Sequence, residues 1–230
     1  MYQLNEFKEA EALDQALANE VATILSAAIA ANGKASLAVS GGSTPKNFFK
    51  VLSGKDILWK KVTITLADER WVPVDSPDSN TQLVQQYLLQ NKAKSAQFFH
   101  LKRQEDFSKA HLLALNDKAN TQIHPLDVVI LGMGGDGHTA SLFPCSKQIE
   151  HCLAADSPTL IKVVPKTAAH QRISFSFAAL ALSKNIFLHI AGTAKKRVLM
   201  DALDGTSAKD MPIRAFLHHN EIQTYIFWAE

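Results

Sequence analysis

The residues of this chain with the most chemistry in them lie in one glycine-rich stretch, Gly132-Met-Gly-Gly-Asp-Gly-His-Thr-Ala-Ser-Leu-Phe-Pro144. It sets Asp136 two residues before His138. A histidine takes a proton from water and returns it to a leaving group, which is general acid–base catalysis. A neighbouring carboxylate orients the ring and favours its charged form. Asp68-Glu69-Arg70 adds a second carboxylate and a cation. Ser40-Gly41-Gly42-Ser43-Thr44-Pro45 joins a short apolar run to a helix start. Glycines there let backbone N–H groups approach an anion, and the two hydroxyls add donors. The turn lacks the lysine of a P-loop, so a sugar phosphate suits it better than a nucleoside triphosphate. In Thr193-Ala-Lys195-Lys196-Arg197 cations open a helix against its dipole, which makes Lys195 or Lys196 a candidate phosphate ligand. The bland alternatives are a capped turn, a solvated basic face and surface decoration. The eight histidines other than His138 read as structural.

The segment from Gly132 to Gly137 also fits G-x-G-x-x-G. A dinucleotide fingerprint should open a long helix in the first βα unit, whereas here Pro144 follows within a few residues in mid-chain. The nucleotide reading is rejected.

These clusters need a frame. Leu13, Leu17, Val21, Ile24 and Ala28 recur at helical spacing over 10–31, with Asn32-Gly33 as a stop. Strands are expected at 36–40, 62–66, 127–131, 173–177, 186–190 and 224–228, separated by helix-length segments. Thr44 and Thr193 are expected to cap helices that end at Gly54 and Gly205, and further helices are expected from Ser79 and over 106–118. Such alternation implies one α/β domain over 1–230, a mostly parallel sheet with helices on both faces. Ligands in such sheets bind beyond the carboxyl ends of the strands, where the polar clusters fall.

Composition narrows the function classes. A formal net charge of +2 is too small to argue for nucleic acid or an anionic membrane surface. The acidic N-terminus is unlike a secretory signal, and the apolar run at 21–31 is too short to span a bilayer, so a cytoplasmic protein is expected. Cys145 and Cys152, with no second pair, indicate neither a zinc site nor a disulfide framework. Nothing marks Cys145 as an activated nucleophile.

Taken together, Ser40–Pro45, Asp68-Glu-Arg-Trp-Val-Pro73, Leu131–Pro144, Arg172-Ile-Ser174 and Gly192-Thr-Ala-Lys195 closely resemble the 6-phosphogluconolactonases. The motifs stand in family order from residue 40 to residue 195. The resemblance implies a Rossmann-like α/β fold shared with the glucosamine-6-phosphate deaminases. It implies hydrolysis of 6-phospho-D-glucono-1,5-lactone to 6-phospho-D-gluconate, the second step of the oxidative pentose phosphate pathway. His138 would be the base, supported by Asp136. Arg70 or loop N–H groups would stabilise the oxyanion, and Asp68 would bind hydroxyls or shape the site. Gly41, Gly42, Ser43, Thr44, Arg172 and Lys195 would hold the substrate, chiefly its phosphate. No metal or organic cofactor is implied, and the expected partner is the small lactone alone, met by a monomer. The deaminases place a glutamate where this chain has Phe143, and more often a tyrosine where it has Arg70. Losing a carboxylate argues against proton shuttling between carbons and amine. A non-catalytic sugar-phosphate sensor is the third reading.

Overall fold

The computed structural model describes residues 1–102 and 107–230. The chain opens with β1 (Tyr2–Phe7), α1 (Ala10–Asn32), β2 (Ala35–Val39), α2 (Pro45–Ser53), β3 (Val62–Leu66) and β4 (Asp68–Arg70). It continues through α3 (Asn80–Tyr87), β5 (Gln97–Phe98), α4 (Lys109–Gln122), β6 (Val128–Leu131), α5 (Ile149–Leu153) and β7 (Leu160–Val163). Then follow β8 (Arg172–Phe175), α6 (Phe177–Ala181), β9 (Ile186–Ala191), α7 (Thr193–Asp204), α8 (Arg214–Leu217) and β10 (Thr224–Ala229).

Seven strands form one sheet in the order β1-β10-β9-β6-β2-β3-β5, and every neighbouring pair is parallel. All residues of β2 and β6 are buried, as a parallel sheet covered on both faces requires. Helix α1 turns Leu13, Leu17, Val21 and Leu25 into the core, and Gly33 ends it in the left-handed region at φ 73°. The chain runs outward from β2 to β3 and β5, then returns to the other side of β2 with β6. The crevice between β2 and β6 is therefore the topological switch point.

A second sheet, β4-β8-β7, is antiparallel throughout. This corrects the sequence reading in two places. Asp68–Arg70, expected as a polar cluster after the end of β3, is a strand of its own. The strand expected over 173–177 is antiparallel and stops at Phe175, because the Ser176 hydroxyl accepts from the Ala179 N–H and starts α6. Ala67 joins the two sheets: its N–H donates to the Val39 carbonyl, and its own carbonyl accepts from the Phe175 N–H. That joint swings Asp68, Glu69 and Arg70 over the carboxyl end of the main sheet.

Neither expected threonine cap forms through its side chain. Thr44 has helical angles, φ −57° and ψ −46°, which turn its hydroxyl away from the first-turn N–H groups. At α7 the cap position belongs to Gly192, at φ 90°, and Thr193 is already helical. Ser79 does cap α3, accepting from the Gln82 N–H. The helix expected over 106–118 is α4, from Lys109 to Gln122, and residue 106 lies outside the described residues. Strands β1, β5 and β7 were not foreseen: β1 is polar and half exposed, and β5 has two residues. Among the described residues, no helix is long and apolar enough to cross a membrane.

Candidate active site

The loops after β2, β6 and β9 meet beyond the carboxyl end of the sheet, with β4 and β8 facing them. They enclose two adjoining chambers that share Ser40, Gly41, Gly42, Gly132 and Met133. The first, of about 340 Å³, holds His138, Asp68, Arg70 and Arg172. The second, of about 220 Å³, holds Ser43, Thr44 and Lys195.

The β6 loop is built to present His138. Its Nδ1 lies 2.5 Å from Asp136 Oδ1, which also accepts from the His138 backbone N–H at 3.1 Å. Two bonds to one oxygen fix the ring and leave Nε2 for a substrate. Burial pushes the Asp136 carboxyl up, but the His138 charge and hydrogen bonds outweigh it and hold the group below its ordinary value. Asp136 therefore stays ionised at neutral pH. The Gly134 N–H donates to the His138 carbonyl at 2.8 Å, closing the loop on itself. A Cβ at Gly134 would stand 2.1 Å from the imidazole, so only glycine admits the ring there. The loop is tied down further by Thr139 Oγ1 donating to the Gly132 carbonyl and by the Ile213 N–H donating to the Gly137 carbonyl.

Opposite His138 stand the groups of the second sheet. Arg70 pairs in register with Arg172, and Asp68 with Ser174. Asp68 is buried and accepts a short hydrogen bond from Ser141 Oγ. Arg172 is 6% exposed; its Nη2 donates to the Ala169 carbonyl, while Nε has no partner among the described residues. Burial pulls the Arg172 guanidinium below its ordinary value, and Asp68 counteracts this. Arg70 Nη1 is held by the Asp78 carbonyl at 2.6 Å. The Phe143 ring lies 4.2 Å from that of His138, centroid to centroid, and 5.8 Å from the Arg172 guanidinium carbon. Phe143, at which the sequence reading expects this chain to differ from the deaminases, thus touches the candidate base itself, and it presents carbon.

The sequence reading placed Arg172 with the phosphate cradle. In the fold Arg172 lines the first chamber together with His138 and the Gly41-Gly42 turn, whereas Lys195 lines the second. Lys195 Nζ donates to the Met133 carbonyl at 2.6 Å, on the wall the chambers share. Both cysteines are free. Burial raises the Cys145 thiol, but hydrogen bonds from Thr167 and Lys166 leave it below its ordinary value, a local effect that residue types did not reveal. Among the described residues, no three His, Cys, Asp or Glu side chains are placed to hold a metal ion.

Sequence reasoning passed over the supports. Asn80 donates to the Asp68 carbonyl at 2.9 Å and occupies the space a Gly41 side chain would need. Glu69, 2% exposed, accepts from the backbone N–H groups of Arg70, Asn80 and Thr81 and from Ser79 Oγ. It thereby fastens α3 to β4, and the only signal in the chain is an acidic residue ten positions before Ser79. Glu69→Ala is expected to destabilise the fold by about 3 kcal/mol, because it strips partners from three N–H groups at once. Denaturant unfolding reads this directly, and a loss under about 1 kcal/mol would mean that water replaces the carboxylate there.

The model of the family described as glucosamine-6-phosphate isomerases/6-phosphogluconolactonase matches residues 8–227. A curated 6-phosphogluconolactonase of Rhizobium meliloti is 43% identical over 224 residues, covering 97% of each chain. The crystal structure of a 6-phosphogluconolactonase from Shewanella baltica superposes with a TM-score of 0.96 at 42% identity, covering 100% of this chain and 98% of that one. A monomeric glucosamine-6-phosphate deaminase shares the fold, with a TM-score of 0.79 at 18% identity over 97% of this chain and 96% of its own. With the Asp-Gly-His loop, the glycine turn and the second-sheet arginines gathered at one switch point, the chain belongs to the glucosamine-6-phosphate isomerase/6-phosphogluconolactonase family.

Proposed function

We propose that the protein hydrolyses 6-phospho-D-glucono-1,5-lactone to 6-phospho-D-gluconate. The observation that carries this is the Asp136–His138 pair at 2.5 Å in a chamber lined by two guanidinium groups. His138 Nε2 takes a proton from water as its oxygen attacks the lactone carbonyl. Asp136 stabilises the imidazolium that forms. Arg172 and Arg70, which both line the chamber, balance the tetrahedral oxyanion, at roughly 3 kcal/mol per well-placed donor. The imidazolium then gives its proton to the ring oxygen as the C–O bond breaks, so the step balances with water alone. Asp68, fixed by Ser141, accepts from sugar hydroxyls. The phosphoryl group rests on the Gly41–Thr44 turn, with Lys195 on one side and Arg172 on the other.

The shared fold keeps a deaminase reading alive, and Phe143 against His138 weighs against it. The test is acid release from freshly made lactone, slightly below neutral pH where spontaneous opening is slow. Glucosamine 6-phosphate is run in parallel for ammonia. Fast acid release without ammonia is expected. Ammonia release would restore the deaminase, and binding without turnover would support a sensor.

A further inference from the structure

Asn80 braces α3 against β4, and one of its polar atoms takes no part in the brace. It is the first residue of α3, and only 3% of it is exposed. Nδ2 donates to the Asp68 carbonyl at 2.9 Å, and the backbone N–H donates to Glu69 Oε1 at 2.8 Å. The first of these bonds decides which way the amide faces, because the reverse orientation would set two oxygens against each other. Oδ1 therefore lies toward Gly41, where a Cβ would stand 1.9 Å from it and 2.8 Å from Nδ2. No protein donor reaches Oδ1 among the described residues. Yet it is not shut in: Ser40 Oγ and Thr81 Oγ1, on the adjoining residues, are unpartnered and sealed, and Oδ1 is not. Asn80 and Gly41 both line the first chamber, so the open side of that oxygen is the chamber.

We propose that Asn80 is a substrate-binding residue, its Oδ1 accepting a hydrogen bond from one ring hydroxyl of the sugar lactone in the first chamber. This rests on the reading that the chamber holds the lactone ring. The chemistry of the wall supports it. Arg70 and Arg172 offer only N–H donors, and one Asp68 oxygen is already taken by Ser141. A polyhydroxylated ring brings several O–H donors, which need acceptors once they leave water. Asn80 supplies an acceptor without adding charge. A neutral amide neither quenches the two guanidinium groups nor repels a phosphorylated substrate, as a carboxylate in its place would. The side-chain bond to Asp68 and the backbone bond to Glu69 hold the residue before any ligand arrives, so little ordering remains to oppose binding.

The test is steady-state kinetics of the full chain on 6-phosphogluconolactone and on its analogues lacking the hydroxyl at C2, C3 or C4. Wild type is expected to lose about tenfold in kcat/KM on at least one deoxy lactone, the size of one hydrogen bond. In Asn80→Ala, kcat/KM falls for every lactone, but the penalty for deleting one particular hydroxyl shrinks to less than about twofold. Loss of the brace alone would lower all the lactones together and leave their ratios as they were, and that result overturns the proposal. Asn80→Asp keeps an acceptor at the same place and gives up the donor to the Asp68 carbonyl. It should be less stable than wild type and still discriminate. Should Asn80→Ala fail to fold, Asn80→Ser, whose side chain is too short to reach the same point, decides on the same ratios. Equal kcat/KM for all the lactones in wild type would remove Asn80 and leave the lactonase reading standing. No opening of any lactone by wild type would remove that reading and the proposal with it.

Discussion

His138→Ala is expected to lower kcat for lactone opening by roughly 10²–10⁴-fold, the usual worth of a positioned acid–base group. KM should move little, because the groups assigned to the phosphate and the sugar stay in place. The residual rate should remain above that of buffer, since Arg70 and Arg172, the proposed oxyanion donors, still line the chamber. Asp136→Asn should fall between wild type and His138→Ala, because the amide can still hold Nδ1 but no longer offsets the imidazolium charge. Stopped-flow or pH-stat assays of acid release give all three rates. Equal kcat in wild type and His138→Ala would remove the histidine from the mechanism, whatever the rest of the site does.

Gly134→Ala should cost nearly as much without touching a reactive group. The new methyl would stand 2.1 Å from His138 Nδ1 and Cε1 and 2.8 Å from Asp136 Oδ1, so the ring must leave its position. It cannot do so alone, because the Gly134 N–H holds the His138 carbonyl and Asp136 holds Nδ1. A catalytic group displaced by about 1 Å loses on the order of 10²-fold in rate, and overpacking costs about 1–3 kcal/mol of stability. Gly135→Ala is the internal control. A Cβ there meets nothing within 4 Å and its φ is not positive, so activity and melting temperature should stay near wild type. If Gly134→Ala keeps full kcat, the Asp136–His138 contact is not what sets the rate.

The legible part of the protein was whatever short range dictates. Leu13 to Leu25 at helical spacing gave α1, and the short, largely apolar runs after Lys34 and Asp127 gave the central parallel strands. The glycines and polar groups that follow those runs must lie at the carboxyl end of the sheet, so the candidate site could be located before its shape was known. Asp136 and His138 share one tight loop, and their contact needed only local geometry.

Everything that depends on which strands become neighbours was decided by the tertiary structure. Asp68 meets Ser141 across 73 residues only because Ala67 bonds to both sheets and turns β4 out of the main one. Arg172 joins His138 because β8 pairs antiparallel with β4, a register that no periodicity announces. Thr44 takes the expected cap position before Pro45 but its helical backbone angles leave the hydroxyl out of the cap, and Thr193 already lies inside α7 behind Gly192. His189 read as one structural histidine among eight. Packing of α1 against the sheet brought Asp14 to its Nε2 and left Nδ1 buried, with no partner among the described residues. Residue type and spacing decide what chemistry a chain can offer. Long-range pairing decides which groups share a chamber, because a charge or hydrogen bond acts only over a few ångströms and chain separation says nothing about that distance.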